Sequence, residues 1–119
     1  MPQLILEFSS NVIEKNNVLS LFKNCHSLLA TMLPTDLDSC KSRSIECATY
    51  CVGNGNINNA FAHLSLKVMP GRRPDTLKKT GDSMMDLLKS YFTESLKKLN
   101  LQITLEIIEL EKNYFKITS

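Results

Sequence analysis

Residues 59–69 read Asn-Ala-Phe-Ala-His-Leu-Ser-Leu-Lys-Val-Met and alternate in chemical character along the chain. One set of alternate positions is small or aliphatic: Ala60, Ala62, Leu64, Leu66 and Val68. The intervening set is largely polar: Asn59, His63, Ser65 and Lys67. Successive side chains of a strand point to opposite faces of a sheet, so this period of two predicts a strand with one face in the core.

Upstream of this strand, the sequence predicts a strand, a helix and another strand. Residues 2–8 form the first strand, whose leading proline is tolerated because the first strand residue need not donate to a ladder. Apolar side chains recur at steps of three and four from Val18 to Leu33, which predicts a helix ended by Pro34. Residues 42–52 form the second strand, and the side chains predicted on one of its faces are Ile45, Cys47, Thr49 and Cys51.

Downstream, the pattern repeats. A helix is expected to begin near Pro74, a favourable first helical residue, with Asp75 complementing the helix dipole. Its apolar stripe comprises Leu77, Met84, Leu88, Tyr91, Leu96 and Leu99. Residues 101–110 form the last predicted strand. The glycine- and asparagine-rich residues 53–58 are predicted as a turn; they precede a strand and lack the helix that a phosphate-binding loop requires.

These elements predict one α/β domain over residues 1–119, built from two consecutive βαβ units. The internal pseudo-repeat covers residues 2–52 and 59–110. Both helices are expected on one face of a four-stranded mixed sheet. The other face is then uncovered, and it is expected to carry Ile5, Ile45, Phe61 and Ile103. An exposed face that is partly apolar predicts an oligomer in which sheets of several subunits stack.

Composition excludes several function classes. The net charge is only +2, and the lysines are spread without interleaved aromatic residues, which argues against nucleic acid as a partner. No apolar run approaches the roughly 18 residues of a membrane span. Glu7 interrupts the first apolar run too early for a secretory signal, so the expected location is cytoplasmic, without membrane association.

The four cysteines are expected to be buried, reduced thiols without a metal. There is no Cys-x-x-Cys pair among Cys25, Cys40, Cys47 and Cys51. Four residues of a strand span about 13 Å. That distance exceeds the roughly 7 Å limit for the Cα atoms of a disulfide, so the last two cysteines are not expected to pair within the strand.

Pro2, directly after Met1, is the leading candidate for chemistry. Initiator methionine is normally excised before a small residue such as proline, which would leave a secondary amine held at the start of a strand. A free α-amino group titrates near pH 8, and burial or nearby cations lower this value. An amine that is neutral near pH 7 suits proton transfer between oxygen and carbon.

With the Met-Pro start and the two βαβ units in place, the sequence resembles the 5-carboxymethyl-2-hydroxymuconate isomerase family. That family belongs to the superfamily of 4-oxalocrotonate tautomerase and macrophage migration inhibitory factor. The resemblance covers nearly the whole chain. The stretches that carry it are Met-Pro-x-x-Ile/Leu-x-Glu at residues 1–7, Ala-Phe-Ala-His-Leu-Ser-Leu-Lys at 60–67, Gly71-Arg72, Glu-Ile-Ile-Glu-Leu at 106–110 and Phe115-Lys116.

The resemblance implies a tautomerase-like fold and a homotrimer with active sites near subunit boundaries. It implies enol-to-keto isomerisation of an unsaturated 2-hydroxy dicarboxylate from aromatic catabolism, without metal or organic cofactor. Pro2 would take the 2-hydroxyl proton and return a proton to a carbon of the conjugated system.

Substrate-binding residues also follow from the resemblance. Arg72 matches a substrate-binding arginine, and its place just before a predicted helix N-terminus independently favours carboxylate binding. Lys41 stands where the family usually has an arginine, which keeps the charge and loses the planar fork. Arg43, on the same strand face, is the alternative cation. His63 is interpreted as a structural histidine bonded across strands, and Arg73 as solvent-facing.

Two other functions remain open at this point. The chain could be an oligomeric ligand-binding or regulatory protein of the same fold with vestigial tautomerase activity. It could also use the same proline for decarboxylation or hydrolytic dehalogenation, as relatives in the superfamily do. If Met1 is retained, the Pro2 nitrogen is an amide without a basic lone pair, and the proline mechanism fails.

Overall fold

The computed structural model describes residues 1–119 and contains the two expected βαβ units. The strands and helices are β1 Gln3–Ser9, α1 Val18–Met32, β2 Lys41–Cys47, β3 Asn59–Val68, α2 Pro74–Tyr91, α3 Thr93–Lys98 and β4 Asn100–Glu109. Short 3-10 turns at Lys15–Asn17 and Leu37–Ser39 precede α1 and β2. None of the helices combines the length and apolar character needed to cross a membrane.

The four strands form one mixed sheet in the order β2-β1-β3-β4. β1 runs parallel to β2 and antiparallel to β3, and β3 runs parallel to β4. Each βαβ unit therefore contributes one parallel pair, and the two units meet at the antiparallel β1–β3 pair in the centre. This arrangement confirms the predicted α/β class with a four-stranded mixed sheet.

One sheet face lies against the helices and forms the core. The inward side chains of β1 (Leu4, Leu6 and Phe8) and of β3 (Ala60, Ala62, Leu64, Leu66 and Val68) are almost completely buried. They pack in one cluster with the α1 stripe and with Met84 and Leu88 of α2. The alternation in residues 59–69 and the periodicity of α1 are thus confirmed, and α1 ends immediately before Leu33 and Pro34.

Two predicted boundaries were wrong. β2 ends at Cys47, because its partner β1 ends at Ser9 and the last bond joins the Ser10 N–H to the Cys47 carbonyl at 3.0 Å. Thr49 and Cys51 therefore lie beyond the strand. The second helix is interrupted at Phe92, whose buried ring packs in the core.

Ile103 was predicted on the uncovered sheet face and lies on the core face instead. The parallel register pairs Ile103 with Ala62, so the two side chains point the same way. The other face is mostly polar, with Ile5, Ile45 and Phe61 among charged and hydroxyl side chains.

Candidate active site

The N-terminus is held between β1, β2 and the segment after α1. Pro2 is fully buried, and its carbonyl accepts a hydrogen bond from the Lys41 N–H at 3.1 Å. The Met1 α-amine donates to Thr35 Oγ1 at 3.1 Å. Because β1 lies inside the sheet, these contacts hold the first residues in one place.

The Met1 amine lies in an environment that favours its neutral form. Burial lowers the pKa of this amine below its ordinary value of 8.0, and the positive charges of Arg72, Lys116 and Lys41 lower it further. A Cys40 thiolate would oppose them. The Pro2 nitrogen is an amide in this chain, so the basic amine of the described molecule belongs to Met1. An amine at this end of β1 is thus placed among three cations.

A cavity of about 550 Å³ opens beside this amine. Met1 and Gln3 of the N-terminal segment form part of its lining. The turn before β2 contributes Asp36, Asp38, Ser39 and Lys41, and the C-terminal segment contributes Tyr114 through Ser119. The cavity therefore joins the amine, two lysines and two aspartates in one space large enough for a small organic acid.

Arg72 is held close to the N-terminus by backbone carbonyls. Its Nη1 donates to the Met69 carbonyl at 2.8 Å, and its Nη2 donates to the Leu33 carbonyl at 3.3 Å. The Nε is buried and has no hydrogen-bond partner. Gly71, at φ +105°, gives the turn that precedes the arginine. The guanidinium is thus fixed in orientation and retains an unused donor.

Lys41 and Arg43 lie on the same strand face, as predicted, and occupy different surroundings. The Lys41 ammonium is exposed at the cavity, where it donates to the Ser39 carbonyl at 3.0 Å. Arg43 donates to Gln3 Oε1 at 2.7 Å on the open sheet face and does not line the cavity. Lys116 also lines the cavity, and the sequence marked it only as part of the C-terminal Phe115-Lys116 motif.

The remaining polar candidates lie outside the cavity. His63 bonds Thr104 Oγ1 through Nδ1 at 2.6 Å and Glu106 Oε1 through Nε2 at 2.9 Å, so it joins β3 to β4 across the open face. Arg73 is exposed and pairs with Asp75 at 3.1 Å. Both placements agree with the sequence interpretation of a cross-strand histidine and a solvent-facing arginine.

The four thiols are all free, and they differ in burial. Cys25 and Cys40 are buried, and burial raises the pKa of the Cys25 thiol to about 12. Cys51 is exposed, contrary to the prediction, because it lies in the loop beyond β2. No group of three or more His, Cys, Asp or Glu side chains is arranged to hold a metal ion.

The sheet order and the buried start of β1 define the class of protein, which is the tautomerase fold. The chain belongs to the 5-carboxymethyl-2-hydroxymuconate isomerase family, whose sequence model matches residues 2–118. It is accordingly an isomerase, of the type that acts as an intramolecular oxidoreductase.

Individual proteins agree with this assignment. The chain is 28% identical over 110 residues to a 5-carboxymethyl-2-hydroxymuconate Delta-isomerase of Escherichia coli, covering 92% of this chain and 87% of that protein. It superposes on a 5-carboxymethyl-2-hydroxymuconate isomerase of Deinococcus radiodurans R1 with a TM-score of 0.90 at 21% identity, covering 99% and 90% of the two chains. A fused 4-OT described as a symmetric trimer shares the fold with a TM-score of 0.65 at 14% identity, covering 90% of this chain and 85% of that one.

Proposed function

We propose that this isomerase converts the enol of an unsaturated 2-hydroxy dicarboxylate, similar to 5-carboxymethyl-2-hydroxymuconate, into its keto form without a cofactor. Pro2 is the general base once Met1 has been removed. The observation that carries the proposal is the buried Pro2 at the chain start beside a cavity, where burial, and after it the charges of Arg72, Lys116 and Lys41, lower the pKa of the Met1 amine.

The proposed base follows from the position of the chain start. Removal of Met1 leaves a secondary amine on Pro2, directly before β1, where the Pro2 carbonyl accepts from the Lys41 N–H at 3.1 Å. Nearby positive charges disfavour the protonated amine, so a larger fraction of it is neutral near pH 7. A neutral amine of this kind accepts a proton from an enol hydroxyl in a single transfer.

The proton transfers conserve all atoms of the substrate. The Pro2 nitrogen takes the 2-hydroxyl proton, the oxygen becomes the carbonyl, and the electron pair moves along the conjugated carbons. The resulting prolinium then returns a proton to a carbon of that system. Lys41 binds a carboxylate in the cavity, and the positive charge of Arg72, from outside the cavity lining, stabilises the negative charge that develops on the enolate.

We further propose that the enzyme works as a homotrimer. The sheet has two free edges, β2 and β4, and several large apolar side chains are exposed, among them Ile57, Phe115 and Ile117. A second copy would cover such surface. Sedimentation of the purified protein at about three times the 13.4 kDa of one chain would agree with a trimer, and sedimentation at the mass of a single chain would contradict it.

The test of function is a spectrophotometric assay of enol disappearance. The substrates are 2-hydroxymuconate, a dicarboxylate, and phenylenolpyruvate, a monocarboxylate, and intact mass first establishes that Met1 is absent. We expect the wild type to convert the dicarboxylate far faster than buffer does and Pro2→Ala to lose most of this rate. Pro2→Ala keeps a free N-terminal amine, so the comparison isolates the secondary amine held by the ring.

A rate no higher than the uncatalysed one, in protein without Met1, would reject the isomerase proposal for these substrates. The proposal would then pass to the ligand-binding or regulatory alternative. Lys41 is the observation that favours that alternative, because its exposed ammonium cannot supply the bidentate contact of an arginine. Under that alternative, Pro2→Ala would leave dicarboxylate binding unchanged.

A further inference from the structure

The C-terminal segment returns across the start of the sheet after β4 ends. The last ladder bond of this region joins the Leu110 N–H to the Val68 carbonyl at 2.8 Å. The chain then continues without helix or strand, and residues 114–119 all line the cavity beside Met1. This segment therefore forms a wall of the cavity that no element of the βαβ units supplies.

Lys116 is the cation of that wall. It lines the same cavity as Lys41, which comes from the start of β2, so two ammonium groups from separate parts of the chain face one space. The positive charges of both lysines, like that of Arg72, lower the pKa of the Met1 amine. Arg72 itself does not line the cavity, because carbonyls of Met69 and Leu33 hold its guanidinium.

The acidic residues of the cavity lie on the turn before β2. Asp36 accepts a hydrogen bond from the Asp38 N–H at 3.2 Å, so its carboxylate is partly satisfied within that turn. Like charges repel, and an anion that enters the cavity is therefore directed away from the aspartates and toward the lysines. The charge pattern gives the cavity a preferred orientation for a carboxylate.

We infer that Lys116 is a specificity-determining residue, which together with Lys41 binds one carboxylate of a dicarboxylate in the cavity. A lysine is a point charge and cannot form the two parallel hydrogen bonds of a guanidinium. Two ammonium groups, one from the start of β2 and one from the C-terminal segment, bind the two oxygens of a carboxylate in place of that fork. The choice of a dicarboxylate as ligand rests on the proposed function.

The test measures binding without turnover. The probe is trans,trans-muconate, an unsaturated dicarboxylate that lacks the 2-hydroxyl and cannot ketonise, and sorbate, which has the same trans,trans diene, is the matched monocarboxylate. Calorimetric titration at low salt compares the wild type with Lys116→Ala, Lys116→Arg and the control Lys112→Ala. Lys112 is an exposed lysine of the same segment that does not line the cavity.

We expect Lys116→Ala to weaken muconate binding about tenfold, as for the loss of one charge-assisted hydrogen bond. Sorbate binding should change less, so the preference for the dicarboxylate should fall in this variant. Lys116→Arg should restore the preference and Lys112→Ala should keep it. A purely structural role of Lys116 would weaken both ligands alike.

Unchanged muconate affinity in Lys116→Ala would overturn the inference, as would a wild type that binds muconate no better than sorbate. The two proposals fail separately. Lys116-dependent muconate binding by a protein that does not ketonise 2-hydroxymuconate refutes the proposed function and supports this inference. Rapid ketonisation by a protein whose muconate affinity does not depend on Lys116 supports the proposed function and refutes this inference.

Discussion

Replacement of Arg72 by lysine tests whether the fixed guanidinium matters beyond its charge. In the structure, Nη1 and Nη2 donate to carbonyls of two separate segments, Met69 and Leu33. A lysine ammonium keeps the charge but carries its donors on one nitrogen, so it lacks the two spaced nitrogens with which the guanidinium reaches both carbonyls. The variant therefore loses one charged hydrogen bond and the rigid orientation of the donor.

The expected loss of unfolding free energy follows from those two hydrogen bonds. A hydrogen bond from a charged donor contributes about 1.5–3 kcal/mol, and the half-buried position of Arg72 brings the expected loss to about 1–2 kcal/mol. Unfolding entropy of about 2.1 cal/mol/K per residue amounts to roughly 250 cal/mol/K for this chain length. The melting temperature should therefore fall by about 4–8 °C. We expect kcat/KM for the dicarboxylate enol to fall about 10- to 100-fold.

The assays are urea denaturation, thermal melting and enol ketonisation, all at one protein concentration because oligomerisation shifts apparent stability. Arg73→Lys is the matched control, since the Arg73 side chain is 82% exposed and its pair with Asp75 lies in solvent. Exposed pairs contribute little, so this control should differ by less than about 0.5 kcal/mol and keep its rate. An Arg72→Lys variant with wild-type stability and kcat/KM would refute the reasoning.

Three further predictions concern the rest of the chain. Glu14→Gln should lower the unfolding free energy by about 1–2 kcal/mol, since the Glu14 carboxylate caps α3 at two backbone amides and accepts from buried Ser95; an unchanged urea midpoint would contradict this. In the folded protein an aromatic disulfide reagent should label the exposed Cys51. Cys25 should react only after unfolding, because burial raises its pKa to about 12. Mass spectrometry of the labelled peptides checks this, and labelling of Cys25 without Cys51 in the folded protein would contradict it. Burial lowers the pKa of His26 below 6.5, so the unfolded chain takes up the proton more readily. Stability should therefore fall as the pH is lowered through about 6.5, the ordinary pKa of histidine, and it should fall less in His26→Gln. Equal losses in the two proteins would argue against this origin.

Local periodicity accounts for the parts of the fold that the sequence predicted. The alternation in residues 59–69 and the helical spacing after Val18 each depend on neighbours within a few positions, and both agree with the structure. The length of β2 and the face of Ile103 depend instead on a partner strand. Register with β1 ends β2 at Cys47, and register with β3 directs Ile103 to the core.

The candidate site divides in the same way. The residue types of Pro2, Lys41 and Arg72 are visible in the sequence, and the family resemblance marks them for chemistry. The sequence did not point to Lys116 as a cavity residue. It lines the same cavity as Met1 only because the C-terminal segment, distant in sequence, returns to the start of the chain. Arg43 looked equivalent to Lys41 by face and charge, yet its hydrogen bond to Gln3 holds it on the open sheet face.

The sequence by itself thus determined the order of strands and helices, the inward face of β3 and the chemical types near the N-terminus. The tertiary structure decided which strand ends pair, which cations share a cavity and which thiols are protected. The physical reason is that side-chain periodicity is a local property set by backbone geometry. Proximity between distant segments follows from strand register and chain path, which appear only when the whole sheet has formed.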